Sequence, residues 1–446
     1  MRIAIIGSGI SGNLVARLLA SQHRVTLFEA SDQPGGHAHT VNVDVGGKGF
    51  SVDTGFMVFN RHTYPNFCRL LELLDVPSRP SDMTFSVRCD QTGVEYQGGT
   101  LNGLFAQRRN VFRPAFWNML RDILRFNRQA QRDATLGKDS HELCCLTLRD
   151  YLRHYGYGSW MIDRYLRPMI AAIWSAGPHE VDRFPVHFLL GFLQNHGLLQ
   201  VRDQPRWRTV IGGSRTYVEA LLDPIRDRVR LNAPVENVWR HEDHVVVQPA
   251  HQPAEVFDEV VFATHADQSL RILRDANERE REILACFPYQ ANEAVLHTDT
   301  RVLPRQKRAW ASWNYHVSAS PEQPATVTYD LSRLQGHESQ IPILLTLNET
   351  EAVEEAKILR RFSFHHPAYR LESIDAQRRH GEISGRRRTH FCGAYWGYGF
   401  HEDGVNSALA VAKHFGIGLE ACTAASTKEP LSTSESTPST MHSAIA

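Results

Sequence analysis

The first thirty residues contain two short apolar runs separated by a segment with helical spacing. Residues 2–6 form a brief isoleucine-rich run, which predicts a fully buried strand. Residues 13–21 carry apolar side chains at helical spacing, and residues 24–28 form a second apolar run. This order of strand, helix and strand predicts a βαβ unit with parallel strands.

The rest of the chain contains both helical spacing of apolar residues and short strand-like apolar runs. Helical spacing over residues 114–130 places Phe116, Leu120 and Ile123 on one broad apolar face. The remaining predicted helices are 147–175, 216–222 and 405–415, and the remaining predicted strands are 83–87, 94–96, 229–247 with a turn at 241–243, 256–264, 309–315 and 343–347. We therefore predict an α/β domain joined to an α+β domain.

Length, charge and composition narrow the class of protein. A chain of 446 residues is expected to form two or three domains. Its 49 basic and 49 acidic residues balance, which argues against a nucleic-acid partner. The seven cysteines contain no C-x-x-C pair, and no window approaches the roughly 18 apolar residues of a membrane span. These features predict a reduced, cytoplasmic protein.

Histidine is abundant, at 23 residues, but its groups lack the spacing of a metal motif such as H-E-x-x-H. The groups considered are His37 with His39, His365 with His366, and His179 near Glu180. We therefore predict no metal site.

A glycine-rich turn follows the first strand directly. Gly7 permits the tight turn, Gly9 lets the backbone approach a pyrophosphate, and Gly12 lets the helix pack closely on the sheet. Phosphates would then face the unpaired N–H groups at the start of the helix. Glu29 ends the second strand, where a carboxylate can accept hydrogen bonds from a ribose hydroxyl. The combination predicts a dinucleotide site.

Three further motifs identify the kind of dinucleotide. The stretch 30–37 contains a Gly35-Gly36 pair, the stretch 53–56 reads Asp-Thr-Gly-Phe, and the stretch 391–404 reads FCGAYWGYGFHEDG. Together with the first loop they resemble the flavin-containing amine oxidase and carotenoid desaturase superfamily, in particular its bacterial branch of predicted NAD/FAD-binding proteins. The resemblance covers roughly residues 1–420. His37 stands where most members have arginine.

The resemblance implies a Rossmann-like FAD-binding domain of the glutathione-reductase-like, two-dinucleotide-binding type. No cysteine is suitably placed ahead of the strand that opens the 391–404 motif for covalent flavin attachment, so we predict noncovalent FAD. Within that resemblance, Val235 contacts the adenine through its backbone, and the start of the helix after Gly404 meets the flavin pyrimidine. The implied cofactor-binding residues are Gly7, Ser8, Gly9, Ile10, Ser11, Gly12, Glu29, Ala30, Gly36, His37, Thr54, Gly55, Phe56, Val235, Gly393, Glu402, Asp403, Gly404 and Val405. Gly212-Gly213 lacks the full fingerprint, so we predict no second dinucleotide site.

Four residues of the last motif are expected beside the flavin ring, namely Trp396, Tyr398, Phe400 and His401. Phe400 aligns with a tyrosine of the usual aromatic cage, and His401 is a candidate base or proton relay. The reaction class is hydride removal from an organic substrate. An amine, a lipid-like substrate of a desaturase or isomerase, and a non-catalytic flavin-binding role all remain open.

We assign 1–80, 205–285 and 386–421 to the FAD-binding domain, 81–204 and 286–385 to the substrate-binding domain, and 422–446 to a disordered tail rich in Ser, Thr and Pro. Arginines around the 114–130 helix allow peripheral contact with the inner face of a membrane. They are Arg108, Arg109, Arg113, Arg121, Arg125 and Arg128.

Overall fold

A computed structural model describes residues 1–136, 145–174, 178–200, 203–319 and 326–423. Most of the predicted tail, from residue 424 onward, lies outside these ranges. Cys422 is buried, and its carbonyl oxygen accepts a hydrogen bond from the Arg17 guanidinium. The folded chain therefore reaches at least this residue.

The five-stranded parallel sheet is assembled from both ends and the middle of the chain. Its five strands, in spatial order, are Val229–Arg230, Arg24–Phe28, Arg2–Ile6, Glu259–Phe262 and Thr389–Phe391. The inner strands are almost wholly buried, as expected for a sheet covered on both faces. The predicted βαβ unit and the α/β class are confirmed.

The second main sheet has seven strands. They are, in spatial order, Ile358–Pro367, Tyr289–His297, Leu344–Leu347, Thr326–Asp330, Trp313–Val317, Phe85–Cys89 and Val94–Gln97. All neighbouring pairs are antiparallel except Trp313–Val317 with Phe85–Cys89. Every strand comes from the segments that we assigned to the substrate region.

Three small sheets accompany these two. They contain Thr40–Val45 with Lys48–Asp53, Phe59–Asn60 with Trp207–Val210 and Ser78–Pro80, and Val235–Arg240 with Val245–Pro249 and Glu255–Phe257.

The longer helices cover the sheets and carry much of the site. The helices of seven or more residues are Ile10–Leu19, Pro65–Leu73, Pro114–Leu136, Leu148–Tyr155, Arg167–Trp174, Val186–Asn195, Arg215–Leu222, Ala266–Ile272, Glu278–Leu284, Leu371–Arg378 and His401–His414. The shorter ones are Leu101–Leu104, Ser159–Met161, Pro178–Val181, Leu331–Gln335 and His380–Ile383. The first and last long helices pack against each other, which brings the two ends of the chain together.

The segment predicted as one strand over 256–264 is two strands in different sheets. Asp258 separates them: its N–H donates to the Arg2 carbonyl, and its carboxylate accepts the Arg2 N–H at 2.6 Å. Glu255–Phe257 pairs antiparallel with Val245–Pro249, whereas Glu259–Phe262 enters the parallel sheet. The single-strand prediction is therefore wrong.

The predicted strand 309–315 begins only at Trp313. The Asn314 side chain hydrogen-bonds both backbone groups of Ala311, at 2.9 and 2.6 Å, and holds that stretch as a turn. The predicted helix 147–175 is interrupted at Gly156, whose φ is 62°.

Both helices that flank the predicted cofactor begin earlier than their patterns indicate. The first starts at Ile10 rather than 13, with Gly9 as its N-cap. The last starts at His401 rather than 405, because the Asp403 carboxylate accepts the Phe400 N–H and caps the additional turn. Within the described ranges, no helix is both long and apolar enough to cross a bilayer.

Candidate cofactor and substrate site

The Gly7–Gly12 loop is shaped by contacts that exclude side chains. Gly7 has a φ of 98°, and a Cβ at Gly12 would lie 1.9 Å from the Gly7 carbonyl oxygen. Gly9 is different, since a Cβ there would meet no protein atom within 4 Å. This open space lies at the N-terminus of the Ile10–Leu19 helix, where the first N–H groups have no intrahelical acceptor.

The second glycine turn lies directly on this loop. A Cβ at Gly36 would lie 3.1 Å from the Gly9 Cα, and the Gly35 N–H donates to the Ser8 carbonyl at 2.8 Å. His37 follows, and its buried Nε2 has no hydrogen-bond partner among the described residues. An unsatisfied buried nitrogen beside an open, positive helix end fits a phosphate oxygen. The turn therefore fits the diphosphate of FAD.

The histidine that replaces the usual arginine lies in a cluster of imidazoles. The His37 ring lies 5.3 Å from the His366 ring and 6.4 Å from the His265 ring. Burial and neighbouring imidazoles lower the pKa of His37 to about 4 and that of His366 to about 3. The cluster is therefore neutral near pH 7 in the FAD-free protein. The described residues contain no group of histidine, cysteine and acidic side chains that could hold a metal.

Glu29, the acid predicted to bind the ribose, is held against the Gly7–Gly12 loop. Glu29 Oε2 accepts the Ser8 N–H at 2.8 Å and the Ser8 hydroxyl at 2.6 Å. The Glu29 carbonyl accepts the N–H of Ala233, two residues before Val235, at 2.8 Å. Ala30 is exposed beside them. The structure thus brings the segments predicted for the adenosine half together.

The stretch predicted beneath the flavin runs against the second glycine turn. The Phe56 N–H donates to the His37 carbonyl at 2.7 Å, and a Cβ at Gly55 would lie 2.2 Å from that oxygen. Thr54 Oγ1 lies 2.6 Å from His39 Nδ1. Gly55 therefore permits a close backbone approach that another residue would prevent.

The candidate base lies in the same region. The His401 ring stacks on Phe56, with ring centroids 3.5 Å apart and an interplanar angle of 11°. Its Nε2 hydrogen-bonds the Tyr217 hydroxyl at 2.8 Å. Burial, with a smaller contribution from His37, holds the pKa of His401 well below its ordinary value. His401 is therefore a neutral imidazole at pH 7.

The last helix meets the first at the cofactor end. A Cβ at Gly404 would lie 2.7 Å from Ile10 Cγ2, and the Ser11 hydroxyl donates to the Gly404 carbonyl at 2.9 Å. Val405 is fully buried there. The Gly393 N–H donates to the Ser407 hydroxyl at 2.9 Å. These contacts position the helix start, with its free N–H groups, beside the Gly7–Gly12 loop.

The two acids of this turn have different surroundings. Burial raises the pKa of Asp403 to about 7, and its carboxylate accepts the Phe400 N–H at 2.9 Å. The Glu402 carboxylate instead accepts the N–H groups of Asn66 and Phe67, at 3.0 and 2.9 Å. Glu402 thus caps the Pro65–Leu73 helix, a role that the motif did not predict.

The four residues expected beside the ring do not all lie together. Tyr398 lies 4.6 Å from Phe188, and Phe400 lies 5.0 Å from Phe192, both on the Val186–Asn195 helix. Trp396 packs elsewhere, with ring centroids 5.2 Å from Phe287 and 4.5 Å from His380. The structure therefore separates Trp396 from Tyr398, Phe400 and His401.

A cavity of about 300 Å³ opens beside Phe400. It is lined by His62, Thr63, Tyr64, Pro65, Asn195, His196, Tyr398, Phe400, Glu402, Asp403 and Asn406. A smaller one, of about 60 Å³, is lined by Trp174, Glu180, Arg183, Phe184, Gln290, Pro367, Ala368, Tyr369 and Arg370. The Trp174 ring, in the wall of the smaller cavity, lies 4.5 Å from the Phe192 ring, which in turn packs on Phe400.

Sequence reasoning missed several residues of this site. Tyr217, Trp174 and Phe192 belong to helices whose patterns show only burial, so no motif marks them. The pair Gly212-Gly213 is visible in the sequence as a glycine turn, but its role is structural. It leads to Ser214, whose N–H and hydroxyl both donate to the buried Asp53 carboxylate.

Glycine turns lie against two helix N-termini, an arrangement that fits a dinucleotide cofactor. Residues 10–361 match the model of the flavin containing amine oxidoreductase family, and the chain belongs to that family. The family is flavin-containing, so the prediction of FAD as the cofactor is confirmed.

In sequence, the chain is 24% identical over 268 residues to the flavin-containing amine oxidase A of Canis lupus familiaris. The match covers 55% of this chain and 46% of that protein, so the chain spans about half the length of the curated relatives that it matches.

Two solved structures share the fold. A fatty acid isomerase from P. acnes that produces CLA superposes with a TM-score of 0.68 at 15% identity, covering 93% of this chain and 98% of that one. Cyclohexylamine oxidase from Brevibacterium oxydans gives 0.65 at 16% identity, covering 93% and 99%. The predicted glutathione-reductase-like fold is thereby confirmed.

Proposed function

We propose that the protein removes a hydride from an organic substrate with FAD as acceptor, in the manner of an amine oxidase. The observation that carries the proposal is the cavity of about 300 Å³ beside Phe400, at the start of the helix that meets the Gly7–Gly12 loop. When bound, the flavin supplies the hydride acceptor. The surrounding residues position the substrate and exclude water.

The walls of this cavity suit a cationic substrate. Tyr64, Tyr398 and Phe400 offer aromatic faces, and Glu402 and Asp403 offer carboxylates. Aromatic faces and carboxylates both stabilise an ammonium group. Since the pKa of Asp403 is about 7, this acid gains its negative charge as the pH rises through neutrality. We therefore expect the affinity for a permanently cationic inhibitor, such as a quaternary ammonium, to rise between pH 6 and 8.

His401 is the candidate proton acceptor. It is neutral, buried and stacked on Phe56. We expect His401→Gln to slow anaerobic reduction of the flavin and to change its pH dependence, with FAD still bound. Unchanged rates across the pH range would contradict a role for His401.

A specific observation favours a second candidate, oxidation or isomerisation of a lipid-like chain. Apolar rings run from Phe400 past Phe192 and Trp174 to the smaller cavity, where Arg183 and Arg370 lie. Arg183 and Arg370 line that cavity together with Glu180, and a guanidinium at the end of an apolar path suits a fatty-acid carboxylate. If this candidate is correct, Arg183→Gln weakens substrate binding and leaves FAD affinity unchanged.

Anaerobic bleaching of the flavin separates the candidates. An amine panel that bleaches the flavin, followed by hydrogen peroxide release in air, supports the first. Bleaching or isomerised product with fatty-acyl substrates supports the second. A flavin that no compound of either panel bleaches or converts would support a non-catalytic flavin-binding protein.

We further propose that FAD is held noncovalently. Cys392, the cysteine nearest in sequence to the Gly393 turn, is fully buried in the core of the parallel-sheet region. Acid or heat denaturation should release the yellow colour into solution, and colour retained by the precipitated chain would contradict this.

Our domain boundaries and a cytoplasmic location, with peripheral contact at the inner face of a membrane, also stay proposals. The strands support the boundaries, since those of the parallel sheet and those of the seven-stranded sheet fall in separate proposed domains.

A further inference from the structure

Residues 101–128, within the proposed substrate-binding domain, form an unusual surface. Eleven large apolar side chains are exposed in the described part of the chain, and five of them fall within residues 101–124. They are Leu101, Val111, Phe112, Trp117 and Leu124. Phe112 is 85% exposed and Leu101 is 78% exposed. Exposed apolar side chains normally occur singly, so such a group indicates an interaction surface.

Local hydrogen bonds order the backbone of the first part of this segment. Phe112 ends a 3-10 helix, Arg108–Phe112, and the long Pro114–Leu136 helix begins two residues later. The Trp117 indole N–H donates to the Val111 carbonyl at 2.8 Å. The Arg108 guanidinium contacts the Phe105 carbonyl and the Asn102 side chain, at 2.9 and 2.6 Å. The apolar side chains are therefore displayed by ordered backbone.

The same segment is strongly basic within a chain of zero net charge. Residues 98–132 contain seven arginines, one aspartate, and neither lysine nor glutamate. Arg125 pairs with that aspartate, Asp122, at 3.5 Å. Arg108, Arg109, Arg121 and Arg128 are exposed and form no ion pair with any described residue. Their charge is therefore available to an external anion.

Exposed apolar side chains together with unpaired arginines are typical of one kind of binding partner. Guanidinium groups bind phosphates bidentately, and their attraction to an anionic surface adds from one residue to the next. An acidic protein or a nucleic acid would be satisfied by the arginines alone. Projecting phenylalanine and leucine side chains gain most by entering the boundary between lipid headgroups and acyl chains.

We propose that the surface formed by residues 101–128 docks the protein on an anionic phospholipid bilayer. Phe112 and Leu101 enter the headgroup region, and the unpaired arginines contact lipid phosphates. The Pro114–Leu136 helix packs on the Val186–Asn195 helix, which carries Phe192 next to Phe400. The docked surface is thus one helix away from the candidate substrate cavity. This proposal holds for either substrate class.

The test is flotation of the full-length, FAD-loaded protein with vesicles. We expect it to float with phosphatidylcholine vesicles that contain phosphatidylglycerol, to stay behind with phosphatidylcholine alone, and to be released by salt. Phe112→Ser should weaken vesicle binding roughly 10-fold or more without changing charge, since it removes a full apolar side chain from the bilayer boundary. Val256→Ser, at an exposed apolar position in the Glu255–Phe257 strand, is the matched control and should float like the natural protein.

The arginines have their own control. Arg121→Gln with Arg128→Gln should reduce flotation, whereas the exposed pair Arg226→Gln with Arg378→Gln removes the same charge elsewhere and should not. Failure of the natural protein to float with anionic vesicles would overturn the proposal. The proposal would also be overturned if Phe112→Ser left flotation unchanged. It would equally be overturned if a single-stranded oligonucleotide or polyglutamate released the protein from the vesicles, and if this release depended on the arginines but not on Phe112.

Discussion

Replacing Gly9 by alanine should weaken FAD binding and leave the folding stability of the FAD-free protein nearly unchanged. Gly9 has a φ of −66° and a ψ of −179°, which alanine also adopts, and its Cβ would meet no protein atom within 4 Å. Reduced freedom of the unfolded chain stabilises by about 0.4–1 kcal/mol, and the poorer N-cap costs about 0.5 kcal/mol. These effects offset, so the free energy of unfolding of FAD-free protein should change by less than about 0.5 kcal/mol.

The effect on FAD is expected to be large, because the added methyl group occupies the space that we assign to the pyrophosphate. An overpacked contact costs about 1–3 kcal/mol. That cost corresponds to FAD binding weaker by roughly 5- to 150-fold. Gly12→Ala is the contrasting variant. Its Cβ would lie 1.9 Å from the Gly7 carbonyl oxygen, so it should destabilise the FAD-free protein as well.

The assay is a fluorescence titration of FAD into the apoprotein, with urea unfolding of the same sample. Gly49→Ala is the matched control, because a Cβ there also meets nothing within 4 Å, on the exposed start of the Lys48–Asp53 strand. An FAD Kd for Gly9→Ala equal to that of Gly49→Ala would refute the assignment of the pyrophosphate to this loop.

Three other predictions concern buried polar groups. Tyr217→Phe leaves His401 Nε2 without its 2.8 Å hydrogen bond, so it should lower the free energy of unfolding by about 1–3 kcal/mol, and an unchanged urea midpoint would contradict this. Arg240 and Glu280 form an ion pair in which both side chains are only 1% exposed. Glu280→Gln should therefore lower the free energy of unfolding, measured in urea, by about 3–5 kcal/mol. A loss below about 1 kcal/mol, as is usual for a surface pair, would be inconsistent with burial of this pair. Burial lowers the pKa of His196 from 6.5 to about 4, so the unfolded chain takes up a proton between these pH values that the folded protein does not. The contribution of His196 to the free energy of unfolding should therefore be complete above pH 6.5 and should decrease below that pH by up to about 1.4 kcal/mol per pH unit. His196→Gln should reduce the slope of unfolding free energy against pH, measured by circular dichroism.

The sequence determined the cofactor half of this protein. The Gly7–Gly12 turn, its flanking strands and Glu29 lie within thirty consecutive residues, and their geometry follows from local backbone requirements. Steric demands of this kind are visible in residue types alone. The same holds for the hairpin formed by Phe85–Cys89 and Val94–Gln97, which a local turn connects.

Tertiary structure alone decided the contacts between segments that are distant in sequence. The hydrogen bond between Tyr217 and His401 joins residues 184 apart, and the break at Asp258 depends on Arg2, 256 residues away. Apolar periodicity predicts that an aromatic side chain is buried, but burial is non-directional and does not specify its neighbour. Trp396, whose place in a motif suggested the ring, therefore packs on Phe287, whereas Phe192, in no motif, lies beside Phe400.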